Sequence, residues 1–149
     1  MTLHEEEMNR RWTQMDADFS YKEETDAIIG SAFAVLNEVG HGFHEKPYEN
    51  GLAVEFNYRG IPFLQQPRYP IMYRGVQVSE FIPDLIVFGN IIVDAKVIER
   101  ITDVEIGQMI NYLKVTGHPI GLLLNFKNPK LEFRRVVATT QSFIRRPNS

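Results

Sequence analysis

The chain contains no cysteine, and this absence removes several classes of chemistry. Disulfide bonds, zinc–thiolate sites, cysteine-ligated iron–sulfur clusters and cysteine nucleophiles all need the missing side chain. The sequence also has no phosphate-cradling glycine-rich loop and no nucleophile elbow. His41, His44 and His118 stand near glycines and prolines in predicted loops, and their spacing matches no zinc site.

Long apolar runs are missing as well. No run approaches the length that a transmembrane helix needs, and the first twelve residues, MTLHEEEMNRRW, are too polar for a signal peptide. We therefore expect an intracellular, cytoplasmic protein with no membrane partner. With 149 residues and ordinary apolar and charged fractions, the chain is expected to form one domain with a core of its own.

Charge of one sign does not dominate, because 16 Lys and Arg stand against 19 Asp and Glu. The distribution is uneven: residues 1–26 are acidic, and residues 127–149 are basic. A basic surface near the C-terminus could contact phosphates, although such clusters are often only solvated. The candidate phosphate contacts are Lys127, Lys130, Arg134 and Arg135.

Two apolar, strand-like runs stand on either side of the turn signal Gly89-Asn90, and both carry charged residues. This pattern predicts two strands that pair as a hairpin. Side chains alternate along a strand, so Asp94 and Lys96 share one face of the second strand. By the same rule, Glu80 and Asp84 share one face of the first. Pairing of the strands would bring carboxylates and an ammonium group together.

A charge in a dry interior costs several kcal/mol, so these residues must be paired, bound to a cation or placed at the edge of the core. One interpretation is a structural aspartate–lysine pair at a strand end. The other is a site for a hard cation, because carboxylates and carbonyls suit Mg²⁺ or Mn²⁺. Its candidate oxygen ligands are Asp84, Asp94, Glu45 or Glu80, and the carbonyl of Ala95.

Lys96 cannot be a metal ligand while it is protonated. It could instead orient a water molecule or neutralise charge that develops on a phosphate, while a metal activates the water. Phosphodiester cleavage needs these parts. Gln108 and Tyr112 lie four residues apart on a predicted helix and share a face. They could hold Lys96 or a phosphate, or they could be a surface glutamine and a half-buried aromatic residue.

The order of predicted elements indicates an α/β or α+β domain with a mixed sheet. Apolar spacing and end signals predict three helices: one from Thr25 as N-cap to Gly40, one with Pro47 in its first turn that stops at Gly60, and one from the Thr102–Glu105 capping box to Gly117. Strands are predicted over residues 62–66, 69–73, 76–88, 91–99, 119–126 and 131–137. The first four would form a meander, and the third helix would cross over to a parallel strand.

We expect three regions in the chain. Residues 1–20 would be a loose or weakly helical lead-in, with Trp12 docked on the core, and residues 21–140 would form the domain. Residues 141–149 would be a flexible tail.

Several motifs, in order, resemble one known family. They are G-x-x-E-x-x-Y at Gly42, Glu45 and Tyr48, then Pro83-Asp84, Asp94-Ala95-Lys96, Gln108-x-x-x-Tyr112 and the ending GLLLNFKNPKLEFRR. Over about residues 28–137 the chain is similar to the GxxExxY proteins of the PD-(D/E)XK nuclease superfamily. The resemblance implies a restriction-endonuclease-like core, a mixed sheet flanked by helices.

The resemblance also implies roles for individual residues. Asp84 would be the first metal-binding aspartate, Asp94 would stand at the D/E position and Lys96 would be the lysine of the motif. Glu45 would match the acidic residue of the first helical region, beside Tyr48 of the same motif. Gln108 and Tyr112 would match the pair on the helix behind the site.

Two residues depart from the family pattern. Asp94 stands where most members carry glutamate, and its shorter side chain could alter the metal geometry. Pro47 lies inside G-x-x-E-x-x-Y and could shift Glu45 relative to the sheet.

Two hypotheses for function follow. The first is a nuclease that hydrolyses phosphodiester bonds of nucleic acid with Mg²⁺ or Mn²⁺. The second is a catalytically inactive module that keeps the nuclease fold and binds nucleic acid or a protein partner. The sequence leaves open whether the substrate is DNA or RNA, its strandedness and whether a homodimer forms.

Overall fold

The computed structural model describes residues 21–138. The predicted lead-in with Trp12 and the predicted tail lie outside this range. The described elements are α1 (Lys22–Val39), α2 (Glu45–Arg59), β1 (Phe63–Gln65), β2 (Tyr69–Tyr73), β3 (Val76–Phe81), β4 (Leu85–Val87), β5 (Ile91–Lys96), α3 (Asp103–Thr116), β6 (Ile120–Asn125) and β7 (Glu132–Val137).

Five strands form one mixed sheet in the order β1-β4-β5-β6-β7. Strands β5 and β6 are parallel, and the other neighbouring pairs are antiparallel. Helix α3 is the crossover between β5 and β6, as the sequence predicted. The mixed sheet flanked by helices is therefore confirmed.

The predicted meander is wrong. Strands β2 and β3 pair only with each other, as a separate two-stranded hairpin, and β1 pairs with β4. The single strand predicted over residues 76–88 is two strands, β3 and β4, which are separated by Pro83. Proline has no N–H to donate to a ladder, so the chain leaves one sheet there and enters the other. Glu80 consequently lies on the hairpin, whereas Asp84 lies in the segment that leads from β3 into β4.

The ends of the helices agree with the sequence in two cases. Helix α3 begins with the predicted capping box: the Thr102 hydroxyl accepts from the N–H of Val104, and Glu105 accepts from the N–H of Thr102. Pro47 lies in the first turn of α2, where helix N–H groups have no intrahelical partner. The prediction of Thr25 as an N-cap is wrong, because its hydroxyl donates to the Tyr21 carbonyl from inside the first turn of α1.

Both faces of the sheet are covered. Helices α1 and α2 pack on one face, against side chains that include Val93, Leu122 and Leu124. Helix α3 and the β2–β3 hairpin cover the other face, against Ile92 and Leu123. Because residues alternate along β5, Asp94 and Lys96 belong to the α3 face. None of the helices within residues 21–138 has the length and apolar content needed to cross a membrane.

Gly51 explains how α1 and α2 come close. A Cβ atom at this position would lie 2.8 Å from Cγ1 of Val35, which is closer than such carbon atoms pack. The glycine that weakens the helical pattern of α2 therefore serves the contact between the two helices.

Candidate functional site

Asp84 and Asp94 face each other beside the β4–β5 pair. The register of these strands sets Leu85 opposite Val93, so the next pair along the ladder would be Asp84 and Asp94. The N–H of Asp84 donates to Oδ1 of Asp94 over 3.1 Å, and the N–H of Ala95 donates to Oδ2 of Asp84 over 2.8 Å. Each carboxylate thus accepts one main-chain N–H through one oxygen. The second oxygen of each accepts no hydrogen bond from the described part of the chain.

Burial is the largest cause of a raised pKa at both aspartates. Burial, followed by the charge of Asp94, raises the pKa of Asp84 to about 7. Asp94 is 6% exposed, and burial raises its pKa as well, against the opposing effects of the Asp84 N–H and of Lys96. Adjacent carboxylates with raised pKa values are stabilised in the charged form by a nearby cation.

Lys96 is the last residue of β5 and lies on the same strand face as Asp94. Its charge acts to lower the pKa of Asp94. Within residues 21–138, neither Asp84 nor Asp94 lies within ion-pair distance of the Lys96 ammonium. The structural aspartate–lysine pair is therefore not formed, and the charge of Lys96 acts on Asp94 from a longer distance.

A pocket of about 450 Å³, the carboxylate pocket, contains all four residues predicted to be catalytic, Glu45, Asp84, Asp94 and Lys96. Its polar lining comes from Glu45, Ser79, Glu80, Asp84, Asp94 and Lys96. Tyr112 also lines it, with its ring stacked on Phe81 at 3.7 Å between centroids. The sheet, the first turn of α2, the hairpin and α3 therefore meet at this pocket.

Glu45 is the first residue of α2 and lies at the exposed rim of the carboxylate pocket. Its charge contributes to the raised pKa values of both aspartates. Pro47 leaves Glu45 at the pocket, because a first-turn proline costs the helix no hydrogen bond.

Tyr48 acts at a distance from the pocket. Its hydroxyl donates to the Gly40 carbonyl over 2.7 Å and accepts from the Phe43 N–H over 3.1 Å. Its ring stacks on Phe126 at 4.4 Å. Tyr48 therefore holds the loop that leads into α2 and, through it, the start of the helix that carries Glu45.

Gln108 is exposed and lines a neighbouring cleft together with Tyr112. It does not line the carboxylate pocket. The predicted pair is therefore shared between two adjacent depressions, and only Tyr112 faces both.

The four basic residues predicted to contact phosphates do not form one surface. Arg134 and Arg135 are consecutive on β7, so their side chains leave opposite faces of the sheet. Lys127 and Lys130 lie in the turn between β6 and β7.

Glu49 is a site residue that sequence reasoning missed. Its side chain is buried, with 3% of the residue exposed, and it accepts hydrogen bonds from Lys46, Gln65 and Gln66. Burial acts to raise the pKa of Glu49, but these hydrogen bonds outweigh it and lower the pKa. The main-chain N–H of Gln66 donates to the Asp84 carbonyl over 2.9 Å.

Glu49 is thus connected to Asp84 through one residue. Its charge also acts to raise the pKa of both aspartates. The sequence contained one signal for this role: Glu49 stands four residues after Glu45 and therefore shares its helix face.

The donor set fits a cation that needs few protein ligands. No group of three or more histidine and acidic side chains within residues 21–138 is arranged to hold a metal ion. The two aspartates alone match the habit of Mg²⁺, which binds one or two carboxylates and completes its shell with water and substrate phosphate. Glu45 lines the same pocket without joining them as a third clustered ligand.

Comparison with known proteins defines the class. A family model described as the PD-(D/E)XK nuclease superfamily matches residues 22–136. The chain therefore belongs to the PD-(D/E)XK nuclease superfamily. No curated protein matches the chain in sequence.

Two solved structures are similar to the chain. A crystal structure of an alkaline exonuclease, LHK-Exo from Laribacter hongkongensis, is 11% identical with a TM-score of 0.47, over 62% of this chain and 55% of that one. The crystal structure of SSO0001 is 12% identical with a TM-score of 0.51, over 85% of this chain and 64% of that one. The chain thus spans less than two thirds of either protein, and at these identities the likeness concerns the fold alone.

Proposed function

We propose that the chain is a metal-dependent nuclease of the GxxExxY type, which hydrolyses phosphodiester bonds of nucleic acid. One observation carries the proposal: Asp84 and Asp94 are held face to face by main-chain N–H groups, with raised pKa values, in a pocket that also contains Lys96. Superfamily membership supplies the reaction class.

Asp84 and Asp94 would hold Mg²⁺ or Mn²⁺ through the oxygens that accept no main-chain hydrogen bond. The bound ion would supply Lewis acidity and lower the pKa of a water molecule. The main-chain bonds to the other two oxygens set the orientation of both carboxylates before any ligand arrives, which favours tight metal geometry.

Lys96 would place its ammonium group beside the phosphate, orienting the attacking water and stabilising the charge that develops on the phosphate oxygens. Glu45 adds negative charge at the rim, which favours a cation in the pocket. Tyr48 holds the loop before Glu45, and Tyr112 with Phe81 forms the apolar wall opposite the acids. Gln108 would contact substrate in the adjoining cleft, and Lys127, Lys130, Arg134 and Arg135 stay predicted phosphate contacts.

The first test is calorimetric titration of Mn²⁺ into the wild type, Asp84→Asn and Asp26→Asn. Asp26→Asn is the control, because Asp26 belongs to an exposed ion pair on α1. We expect the wild type and Asp26→Asn to bind and Asp84→Asn to lose binding. If the wild type binds no Mn²⁺, alone or with an oligonucleotide that supplies phosphates, the metal site is wrong.

The second candidate function is an inactive nucleic-acid-binding or protein-binding module. The absence of a third clustered metal ligand within residues 21–138 favours it. Incubation with mixed DNA and RNA oligonucleotides and Mn²⁺ distinguishes the two functions. Cleavage that disappears in Lys96→Ala supports the nuclease, whereas metal-independent binding that survives Lys96→Ala, without any cleavage, supports the module.

A further inference from the structure

Two clefts share lining residues with the carboxylate pocket. The α2 cleft, of about 700 Å³, shares Glu45 with the pocket. The hairpin cleft, of about 660 Å³, lies between β2 and α3 and shares Ile71 and Tyr112 with the pocket. The two clefts share no residue with each other, so the pocket with Asp84 and Asp94 is what connects them, and we call the three depressions together the furrow.

The α2 cleft presents an exposed aromatic ring. Phe43 lines the cleft, and 51% of this residue is exposed. A phenylalanine in a loop could turn into the protein, but Phe43 faces solvent. Its main chain is held by the hydrogen bond from its N–H to the Tyr48 hydroxyl, which fixes the point at which the side chain leaves the loop. His44 and Lys46 lie beside it, and the Lys46 ammonium also bonds to Glu49 at 3.1 Å.

The hairpin cleft combines an apolar wall with a cation. On one side of the cleft, β2 contributes Met72, which is 54% exposed. On the other side, α3 contributes Gln108, Lys114 and Val115. Lys114 is exposed and forms no ion pair with the described acids. The hairpin cleft therefore offers an apolar surface together with the charge of Lys114, whereas the α2 cleft offers the Phe43 ring beside a Lys46 charge that is paired with Glu49.

We propose that the furrow binds a single strand of nucleic acid, with bases against Phe43 and Met72 and a phosphate at Lys114. Apolar side chains beside cations are the pattern that binds unpaired bases, because every base has a flat face and every nucleotide a phosphate. In a duplex both faces of each base are already stacked, so Phe43 would have nothing to cover. The inference rests on the proposed function in one respect, namely that the nucleic-acid strand passes over Asp84 and Asp94. Binding of the nucleic acid itself needs no metal.

The test measures fluorescence anisotropy of labelled oligothymidine, oligouridine and a blunt DNA duplex in EDTA, where a metal-dependent nuclease cannot cut. The wild type should bind at least one of the single strands more tightly than the duplex, and the two single strands reveal a preference for DNA or RNA. Phe43→Ala should weaken single-strand binding about tenfold, and Phe43→Trp should preserve it. Phe33→Ala is the matched control, because Phe33 is 43% exposed on α1 and lines none of the three depressions.

A salt titration tests the other end of the furrow. Lys114→Ala should lower the slope of log affinity against log salt by about 0.7, the contribution of one phosphate contact on a single strand. Lys22→Ala, in the exposed ion pair with Asp26 on α1 and outside the furrow, should leave the slope unchanged. Circular dichroism melting establishes that each variant is folded.

Three results would overturn the proposal: no single-strand binding by the wild type, equal or tighter binding of the duplex, or single-strand affinity unchanged in both Phe43→Ala and Lys114→Ala. Failure of the nuclease proposal has a different signature. In that case Mn²⁺ binding and cleavage are absent, while the effects of Phe43→Ala and Lys114→Ala on strand binding persist.

Discussion

The N–H of Asp84 donates to Oδ1 of Asp94, while the N–H that follows Asp94, on Ala95, donates to Oδ2 of Asp84. The two carboxylates are therefore oriented by the main chain of the β4–β5 hairpin. Burial raises the pKa of both carboxylates, and the charge of Asp94 adds to the shift at Asp84.

Asp94→Asn should abolish cleavage and weaken Mn²⁺ binding by more than about 100-fold. Asparagine keeps the size of the side chain and the oxygen that accepts from the Asp84 N–H, but it removes the charge. Loss of a residue that only hydrogen-bonds to a metal ligand already costs about 10–100-fold in metal affinity, so loss of a ligand should cost more. Calorimetry with Mn²⁺ and a cleavage assay measure the two effects, with Asp26→Asn as the control. Retained cleavage would show that Asp94 is not a metal ligand.

The folded protein without metal should lose stability as the pH rises from about 5 to about 8. Asp84 has a pKa near 7 in the folded state against an ordinary value of 3.8, so the folded state holds the proton more tightly than the unfolded chain. The free energy of unfolding therefore falls as the pH rises through this window, by on the order of 3 kcal/mol. Urea denaturation in EDTA at pH 5 and pH 8 measures the difference.

The matched variant for this pH effect is Asp84→Asn, which should flatten the dependence because it has no proton to lose. Addition of Mn²⁺ to the wild type at pH 8 should restore stability. An identical pH dependence in the wild type and in Asp84→Asn would assign the effect to another group.

Glu49→Ala should destabilise the fold by about 1–3 kcal/mol. The substitution removes a buried carboxylate that accepts hydrogen bonds from Gln65, Gln66 and Lys46, whose exposed side chains can bond to water instead. Urea denaturation at pH 7 measures the loss, and Glu55→Ala, in the α2 ion pair with Arg59, should cost less than about 1 kcal/mol.

Glu49 should also affect the site itself. The milder Glu49→Gln keeps the volume of the side chain and should weaken Mn²⁺ binding less than Asp94→Asn does, because Glu49 reaches Asp84 only through Gln66. Metal affinity equal to that of the wild type, in a folded variant, would remove Glu49 from the site.

Lys96→Ala should lower cleavage by about 100- to 1,000-fold and leave Mn²⁺ binding in place. An ammonium group aimed at a developing negative charge is worth this much in other enzymes, and Lys96 itself is no metal ligand. Single-turnover cleavage and calorimetry on the same preparation separate the two effects. Simultaneous loss of metal binding would mean that Lys96 acts by holding the aspartates in place.

The parts of the site that the sequence predicted are those set by local geometry. Alternation along a strand placed Asp94 and Lys96 on one face, and β5 shows this face directed at α3. The Thr102–Glu105 capping box and the first-turn Pro47 likewise depend on bonds between near neighbours in the chain. Such features can be deduced because the atoms concerned are only a few bonds apart.

The parts that the sequence did not predict depend on contacts between distant segments. Pro83 indicated a break, but only the tertiary structure shows that β3 turns away into a separate hairpin and takes Glu80 with it. Gln108 and Tyr112 share a helix face, yet with the hairpin packed on α3 Gln108 lines only the hairpin cleft, whereas Tyr112 lines both that cleft and the carboxylate pocket.

The sequence by itself determined the mixed fold, the charged residues of the β4–β5 hairpin and the superfamily to which they belong. Only the tertiary structure decided that Glu49 is buried beside them, that Asp84 titrates near neutral pH and that two clefts continue the pocket. The physical reason is that these properties depend on many neighbours at once. Burial, repulsion between charges and the shape of a cleft are set by residues from α2, β1, the hairpin and α3, and the sequence does not contain the distances between them.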